Sequence, residues 1–344
     1  MKRAGVIGAS GYAGAELCRL LAAHGGVELF AISSKSFEGQ NIQDLYPSYM
    51  NRMDMLFRNE DEVLEGADII FAALPHGLSE KLAYKALKAG KQLIDLGADF
   101  RLESEEEYQE WYGLPFSHKD LHFHAVYGLP ELFRKEIRET GLVANPGCYT
   151  TCVELALAPA AKAGIIDSGR IIADCKSGAT GAGRSLTDTT HFTTLNEGMH
   201  AYKIAAHRHT PEMEQTLQAL TEDTVHVTFV PHLLPVNRGI LATCYAPLKK
   251  GVTQEEVDAL YESFYGEEYF IRLLPKGHAA NIAHVRYSNY CDIVCTVDTR
   301  NHMLITTSAL DNMVKGAAGQ AIQNMNILLG LPEETGLTMI PPAF

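Results

Sequence analysis

The sequence predicts an α/β protein in two parts, an N-terminal doubly wound parallel sheet and then an α+β domain on a largely antiparallel sheet. Three observations carry this. Short, uninterrupted apolar runs alternate with amphipathic helical stretches up to about residue 147, the pattern of parallel strands covered on both faces. A glycine-rich turn joins the first of those runs to the first helix. Beyond residue 163, strand-like runs outnumber helical ones.

With 344 residues the chain exceeds one ordinary core, and two domains are the natural division. Lys plus Arg number 29 against 42 Asp plus Glu, a formal charge of −13, which argues against nucleic acid or an anionic membrane as partner. No run of about 18 apolar residues occurs, so no membrane span is expected. The seven cysteines, an odd number scattered through apolar segments, suit a reducing cytoplasm better than a disulfide framework.

Residues 4–7 read as a buried strand, followed by Gly8-Ala9-Ser10-Gly11-Tyr12-Ala13-Gly14 and a helix over about 13–24. Such a turn sets backbone N–H groups and a helix N-terminus against a pyrophosphate, as in Rossmann-type folds. Gly8, Ser10, Gly11, Tyr12 and Ala13 are therefore candidate dinucleotide contacts. The next strand, 27–32, ends where an adenosine ribose would lie, and the carboxylate expected there for NAD is missing. Ser33, Ser34 and Lys35 stand instead, groups that suit the 2′-phosphate of NADP(H), or else form a solvated polar turn.

Strand 67–74 ends at Leu74-Pro75, and strand 91–96 runs into Asp99-Phe100-Arg101. Both ends fall at the carboxyl edge, where ligands of doubly wound sheets collect. Leu74 and Pro75 are thus candidate cofactor contacts, and Arg101 is either an anion ligand or the partner of Asp99 and the acidic 103–107 cluster. Residues 103–138 form a charged, aromatic insertion in which His122 and His124 alternate as if on one strand face. No third ligand accompanies them, and no metal is expected.

The stretch Asn145-Pro146-Gly147-Cys148-Tyr149-Thr150-Thr151 lies between strand 141–144 and a helix expected over 151–163. A cysteine at a helix start faces unsatisfied N–H groups and the positive end of the dipole, both of which favour thiolate. The alternative is a buried small hydrophobe. Strands are expected at 170–176, 225–232, 239–248, 270–274, 290–298 and 302–309. Between them, Ser177, Gly178 and Gly181 belong to a glycine-rich loop that can approach a cofactor ring, or be an ordinary flexible surface loop. In His207-Arg208-His209-Thr210-Pro211-Glu212, Thr210 can cap a helix, and a histidine beside a carboxylate offers proton transfer to a thiol enzyme; the alternatives are a solvated loop or a metal site, for which no matching Cys or carboxylate ligand pattern is present. A last helix over about 310–329 includes Asn312, whose amide can meet a cofactor carboxamide or cap the helix.

The glycine turn, Asn145-Pro146-Gly147-Cys148-Tyr149 and His207-Arg208-His209-x-Pro211-Glu212 together resemble the family of N-acetyl-gamma-glutamyl-phosphate reductases, of arginine biosynthesis. Segments 125–131, 176–184 and 311–320 share the likeness, and Thr150 departs from it, since the family usually carries proline there. The resemblance implies an NADP(H)-binding domain of residues 1–147 completed by 308–344, a catalytic and oligomerisation domain of 148–307, and a homo-oligomer, tetramer or dimer. It further implies that Cys148 attacks a small-molecule acyl phosphate to form a thioester that is reduced to the semialdehyde. His209 is then the leading acid/base, Glu212 its orienter and His207 a neighbour sharing the role, with Arg101, Asn145 and Tyr202 as substrate contacts. An aspartate-semialdehyde dehydrogenase or a carrier-linked aminoadipyl reductase would share the architecture, and a non-catalytic dinucleotide sensor would share only the first domain.

Overall fold

The structure is a computed structural model, and it describes residues 1–249 and 251–343. Lys250, within the expected 148–307 domain, and Phe344, at the end of the expected 308–344 segment, lie outside the described residues. In chain order the elements are β1 (Lys2–Ile7), α1 (Tyr12–Leu21), β2 (Val27–Ser33), α2 (Ile42–Leu45), β3 (Phe57–Arg58), α3 (Glu60–Gly66), β4 (Ile69–Ala72), α4 (Ser79–Lys88) and β5 (Gln92–Asp95). Then follow α5 (Glu105–Tyr112), α6 (Lys119–His122), β6 (Ala125–Tyr127), α7 (Pro130–Glu139), β7 (Leu142–Ala144), α8 (Cys148–Lys162), β8 (Ile171–Gly178), α9 (Phe192–Leu195), β9 (His200–Ala201) and α10 (Thr210–Gln218). The chain closes with β10 (Val227–Leu234), β11 (Ile240–Pro247), α11 (Gln254–Tyr265), β12 (Ile271–Leu273), β13 (Cys291–Asp298), β14 (Met303–Leu310) and α12 (Gly319–Leu328).

Two compact units result, Met1–Pro146 with Ala317–Met339, and Gly147–Gly316 with the residues from Ile340 on. The first holds a seven-stranded sheet in the order β3-β2-β1-β4-β5-β7-β6, with every pair parallel. Val6, Ile7, Ile70, Phe71, Ile94 and Val143 are fully buried in it, which is why these strands read as unbroken apolar runs. Strand order reverses between β1 and β4, the switch point at which such sheets bind ligands.

Two expectations are corrected here, one in this unit and one in the segment that runs from the second unit into α12. The insertion supplies an edge strand, β6, while His122 closes α6 and His124 follows it, so the two histidines do not share a strand face. The His122 ring stacks on Phe116 and its Nε2 lies 3.6 Å from Glu80, a packed position inside the insertion. The expected helix over 310–329 is instead the end of β14, a turn, a π-helical turn Val314–Ala318, and α12. Asp311 makes the turn, its Oδ1 accepting from the N–H of Met313 at 2.8 Å and of Val314 at 3.3 Å. Helical periodicity alone cannot announce such a break.

The second unit carries a mixed, mostly antiparallel sheet in the order β12-β13-β14-β11-β8-β10-β9, with β12–β13 and β8–β10 its parallel pairs. α8 packs on β11 and β14, and Ala173, Cys175, Phe229, Ala242 and Cys244 are buried. The alternate side chains, among them Ile172, Val230, Thr243, Tyr245 and Ile305, keep partial exposure. Inside α8, Pro159 cannot donate to the Leu155 carbonyl four residues back. Tyr265 of α11 makes up the loss, its hydroxyl donating to Leu155 O at 2.8 Å, and Tyr261 donates likewise to Ala156 O at 2.6 Å.

Candidate active site

The helix expected from residue 151 starts earlier, and Cys148 is its first residue. Pro146 and Gly147 end the extended segment, and Gly147 takes an extended conformation as the cap with no side-chain cap of its own. Helix-start N–H groups and the dipole therefore act directly on the Cys148 position. Of the seven cysteines, six are buried and Cys148 alone is half-exposed. Burial pushes the thiols of Cys18, Cys244 and Cys295 up to about 12, which leaves them inert. The π-helical turn packs against Cys148, since a Cβ placed on Gly316 would lie 2.8 Å from the Cys148 Cβ. Gly316 was missed by sequence reasoning, and its only signal was the small-residue run Gly316-Ala317-Ala318-Gly319.

Around Tyr149 stand the rings of His207, His209 and Phe229, with centroids at 5.8, 6.0 and 5.3 Å. His207 and His209 are 4.7 Å apart, edge to face. The Tyr149 hydroxyl donates to His232 O at 3.0 Å, and the Tyr202 hydroxyl donates to Tyr149 at 3.3 Å. Burial, and then the neighbouring His209, push His207 down to about 2, so its ring is neutral near pH 7. Its Nδ1 accepts the His209 N–H at 3.1 Å, which places the ring proton on Nε2. His209 caps the start of α10, and Glu212 lies in the first turn of that helix, fully buried. Glu212 Oε1 accepts from the Gly147 N–H at 2.7 Å and from the Thr150 hydroxyl at 2.8 Å. The residue expected to orient a histidine thus holds the segment that carries Cys148.

In the first unit, Gly8 has φ of +86°, and a Cβ there would collide with the Ala73 carbonyl oxygen. A Cβ on Gly14 would meet the Gly8 carbonyl oxygen, so α1 closes tightly onto the turn that Gly11 caps. Tyr12 and Ala13 open α1, and Leu74 and Pro75 follow β4 on the neighbouring strand end. The Ser10 and Ser34 hydroxyls lie 2.7 Å apart, Ser33 Oγ is buried with no partner in the structure, and Lys35 is exposed. A cradle of N–H groups that side chains would fill, with an unpartnered hydroxyl at the end of β2, fits a bound dinucleotide.

Other expected ligands hold the framework. Arg101 donates to Asn145 O at 2.9 Å and to Leu96 O at 3.1 Å. Asn145 donates through Nδ2 to Ala317 O at 3.1 Å and accepts from Asn324 at 3.2 Å. Asn312 accepts from the Gly239 N–H at 2.8 Å and donates to the Thr180 hydroxyl at 2.9 Å, bracing the glycine-rich loop. Ser177 and Gly178, expected in that loop, instead end β8, where the Ser177 hydroxyl donates to Gly178 O at 3.0 Å and a Cβ on Gly178 would meet the Asn237 backbone at 2.6 Å; Gly181, in the loop itself, is exposed. Among the described residues no group of three or more His, Cys, Asp or Glu could hold a metal ion.

A parallel sheet with a glycine-turn cradle, and a half-exposed cysteine at a helix start in a mixed-sheet unit, define a dehydrogenase of the semialdehyde type. Residues 3–140 match the family profile "Semialdehyde dehydrogenase, NAD binding domain" and residues 148–312 "Semialdehyde dehydrogenase, dimerisation domain". The first unit accordingly binds a nicotinamide cofactor. The fold is also that of aspartate semialdehyde dehydrogenase II from Vibrio cholerae, solved with ASA, at a TM-score of 0.75 and 17% identity, covering 96% of this chain and 98% of that one.

Relatives are closer in sequence. The N-acetyl-gamma-glutamyl-phosphate reductase of Clostridium beijerinckii is 52% identical over 344 residues, and that of Brachyspira hyodysenteriae is 51% identical over 352. Both alignments cover 100% of either chain. The chain belongs to the N-acetyl-gamma-glutamyl-phosphate reductase family.

Proposed function

We propose that the protein reduces N-acetyl-L-glutamyl 5-phosphate to N-acetyl-L-glutamate 5-semialdehyde and phosphate, using NADPH and passing through a thioester on Cys148. The observation that carries the reading is Cys148 itself, half-exposed at the first position of α8 while the other six cysteines are buried. Its sulfur attacks the acyl carbon and expels phosphate, leaving a thioester that accepts hydride far better than a carboxylate. A bound nicotinamide supplies that hydride. His209 gives a proton to the carbonyl oxygen as it is reduced and takes one back as the thiohemiacetal collapses, releasing semialdehyde and thiolate. His207, neutral with its proton on Nε2, serves as a donor to the substrate, a role that needs no change of charge. Tyr202, hydrogen-bonded to Tyr149, lines the same cluster as a substrate contact.

NADP(H) is favoured by the group at the end of β2, where Ser33, Ser34 and Lys35 replace a carboxylate that would repel a 2′-phosphate. The first unit is the cofactor domain and the second the catalytic and oligomerisation domain. A homo-oligomer, dimer or tetramer, forms through the partly exposed face of the second sheet and the segment bearing Leu186 and Phe192, 96% and 74% exposed. No helix among the described residues is long and apolar enough to cross a membrane. The seven free cysteines suit a reducing compartment, and we place the reaction in the cytoplasm.

Phosphate-dependent reduction of NADP by the semialdehyde tests the reaction. Cys148→Ala should abolish it while NADPH binding persists, and N-acetylglutamyl phosphate should give a higher kcat/KM than aspartyl phosphate or a carrier-bound aminoadipyl phosphate. Undiminished turnover in Cys148→Ala, or the reverse order of substrates, contradicts the proposal.

A further inference from the structure

Cys148 and His209 each sit at the start of a helix, and the two starts share one anion. Glu212, buried in the first turn of α10, receives the N–H of Gly147 at 2.7 Å and the hydroxyl of Thr150 at 2.8 Å. The first donor caps α8, and the second stands two residues beyond the nucleophile. The same hydroxyl lies 2.6 Å from Gly147 O, so its one proton is shared between that carbonyl and the carboxylate, which ties the cap, Glu212 and the first turn of α8 together. Both helix dipoles favour a carboxylate at this point. A negative charge so near a thiolate nonetheless opposes its formation, and each hydrogen bond donated to the carboxylate weakens that opposition while fixing its position.

We propose that Thr150 is a positioning residue for the reaction: its hydroxyl holds Glu212 at the joint of α8 and α10, sets Cys148 against His209, and relieves the carboxylate's opposition to the Cys148 thiolate. The inference rests on Cys148 being the nucleophile and is independent of which acyl phosphate it attacks. With the hydroxyl gone, Glu212 Oε1 loses one of these two donors, its negative potential grows, and the thiol ionises at higher pH. Thr150→Val removes the donor at nearly constant shape, and Thr150→Ser retains it.

Alkylation of Cys148 by iodoacetamide, followed on the full chain without substrates between about pH 5 and 10, reads the ionisation directly. Thr150→Val should react about three- to tenfold more slowly near pH 7, its rise displaced to higher pH. kcat should fall by a similar factor with KM little changed, and Thr150→Ser should restore both. Thr150→Ala substitutes should the valine variant fail to fold. Glu212→Gln, which removes the charge, should displace the rise to lower pH, and in that background Thr150→Val should add no further shift. An unmoved profile in folded Thr150→Val or Thr150→Ala, or a serine variant displaced as far as valine, overturns the proposal, as does an unmoved profile in Glu212→Gln. Failure of wild-type Cys148 to react at all would instead overturn the nucleophile assignment beneath it.

Discussion

Two imidazoles 4.7 Å apart cannot carry the same proton duty when one is held neutral. Burial and a backbone N–H on Nδ1 commit His207 to a single tautomer, and the proposed reaction assigns the proton exchange to His209. His209→Asn should therefore lower kcat by about 10²- to 10⁴-fold, whereas His207→Asn should act mainly on KM, as steady-state kinetics will separate. A second expectation concerns pH. His207, and His24, where burial outweighs the hydrogen bond its Nε2–H donates to Asn326, both have folded pKa values below the ordinary 6.5. The unfolded chain then binds protons more readily, so stability is full above about pH 6.5 and declines as pH falls from there towards the folded values. Urea midpoints should drop between about pH 7.5 and 5.5, and His24→Gln should flatten part of that slope. Cys148 was legible because a cysteine after Pro-Gly at a helix start has a stated chemistry. Thr150 was not, because the carboxylate that gives it meaning lies 62 residues away in sequence.

At the scale of elements, the parallel strands could be read from apolar runs, since burial on both faces leaves little room for polar residues, and the second sheet from runs that alternate buried with partly exposed positions. Two features could not. The edge strand β6 carries only half-buried residues in a charged insertion, and the π-helical turn before α12 keeps an apolar, small-residue composition that a helix would also show. α8 shows how one element corrects another. Pro159 strips the Leu155 carbonyl of its helical donor, and Tyr265 supplies one from α11. Tyr265→Phe should cost about 1–3 kcal/mol in chemical denaturation, because a buried acceptor is left unmade, while kcat stays near that of the parent.

For the whole molecule, the division of labour follows from which unit carries which polar groups. The glycine cradle and the β2 serines belong to the first unit, and Cys148 with the two histidines belongs to the second. The sequence showed both sets because each is built from short motifs at a strand end or a helix start, although only the fold brings the Cys148 segment beside the two histidines. It could not show a surface. The alternation of β8 and β10 marks one face as buried, and only the structure reveals that Ile172, at 44% exposure, looks out from the other. Ile172→Asp should lower the oligomeric state in sedimentation velocity without altering the far-UV spectrum, whereas an unchanged assembly would place the contact elsewhere.

The covalent step is the most direct test of the account. Intact-mass analysis of the protein mixed with N-acetylglutamyl phosphate in the absence of nicotinamide should show one acyl group per chain, mapped by peptide sequencing to Cys148 and discharged when NADPH is added. An acyl group on another residue, or full turnover by a Cys148→Ala chain that carries none, would contradict it.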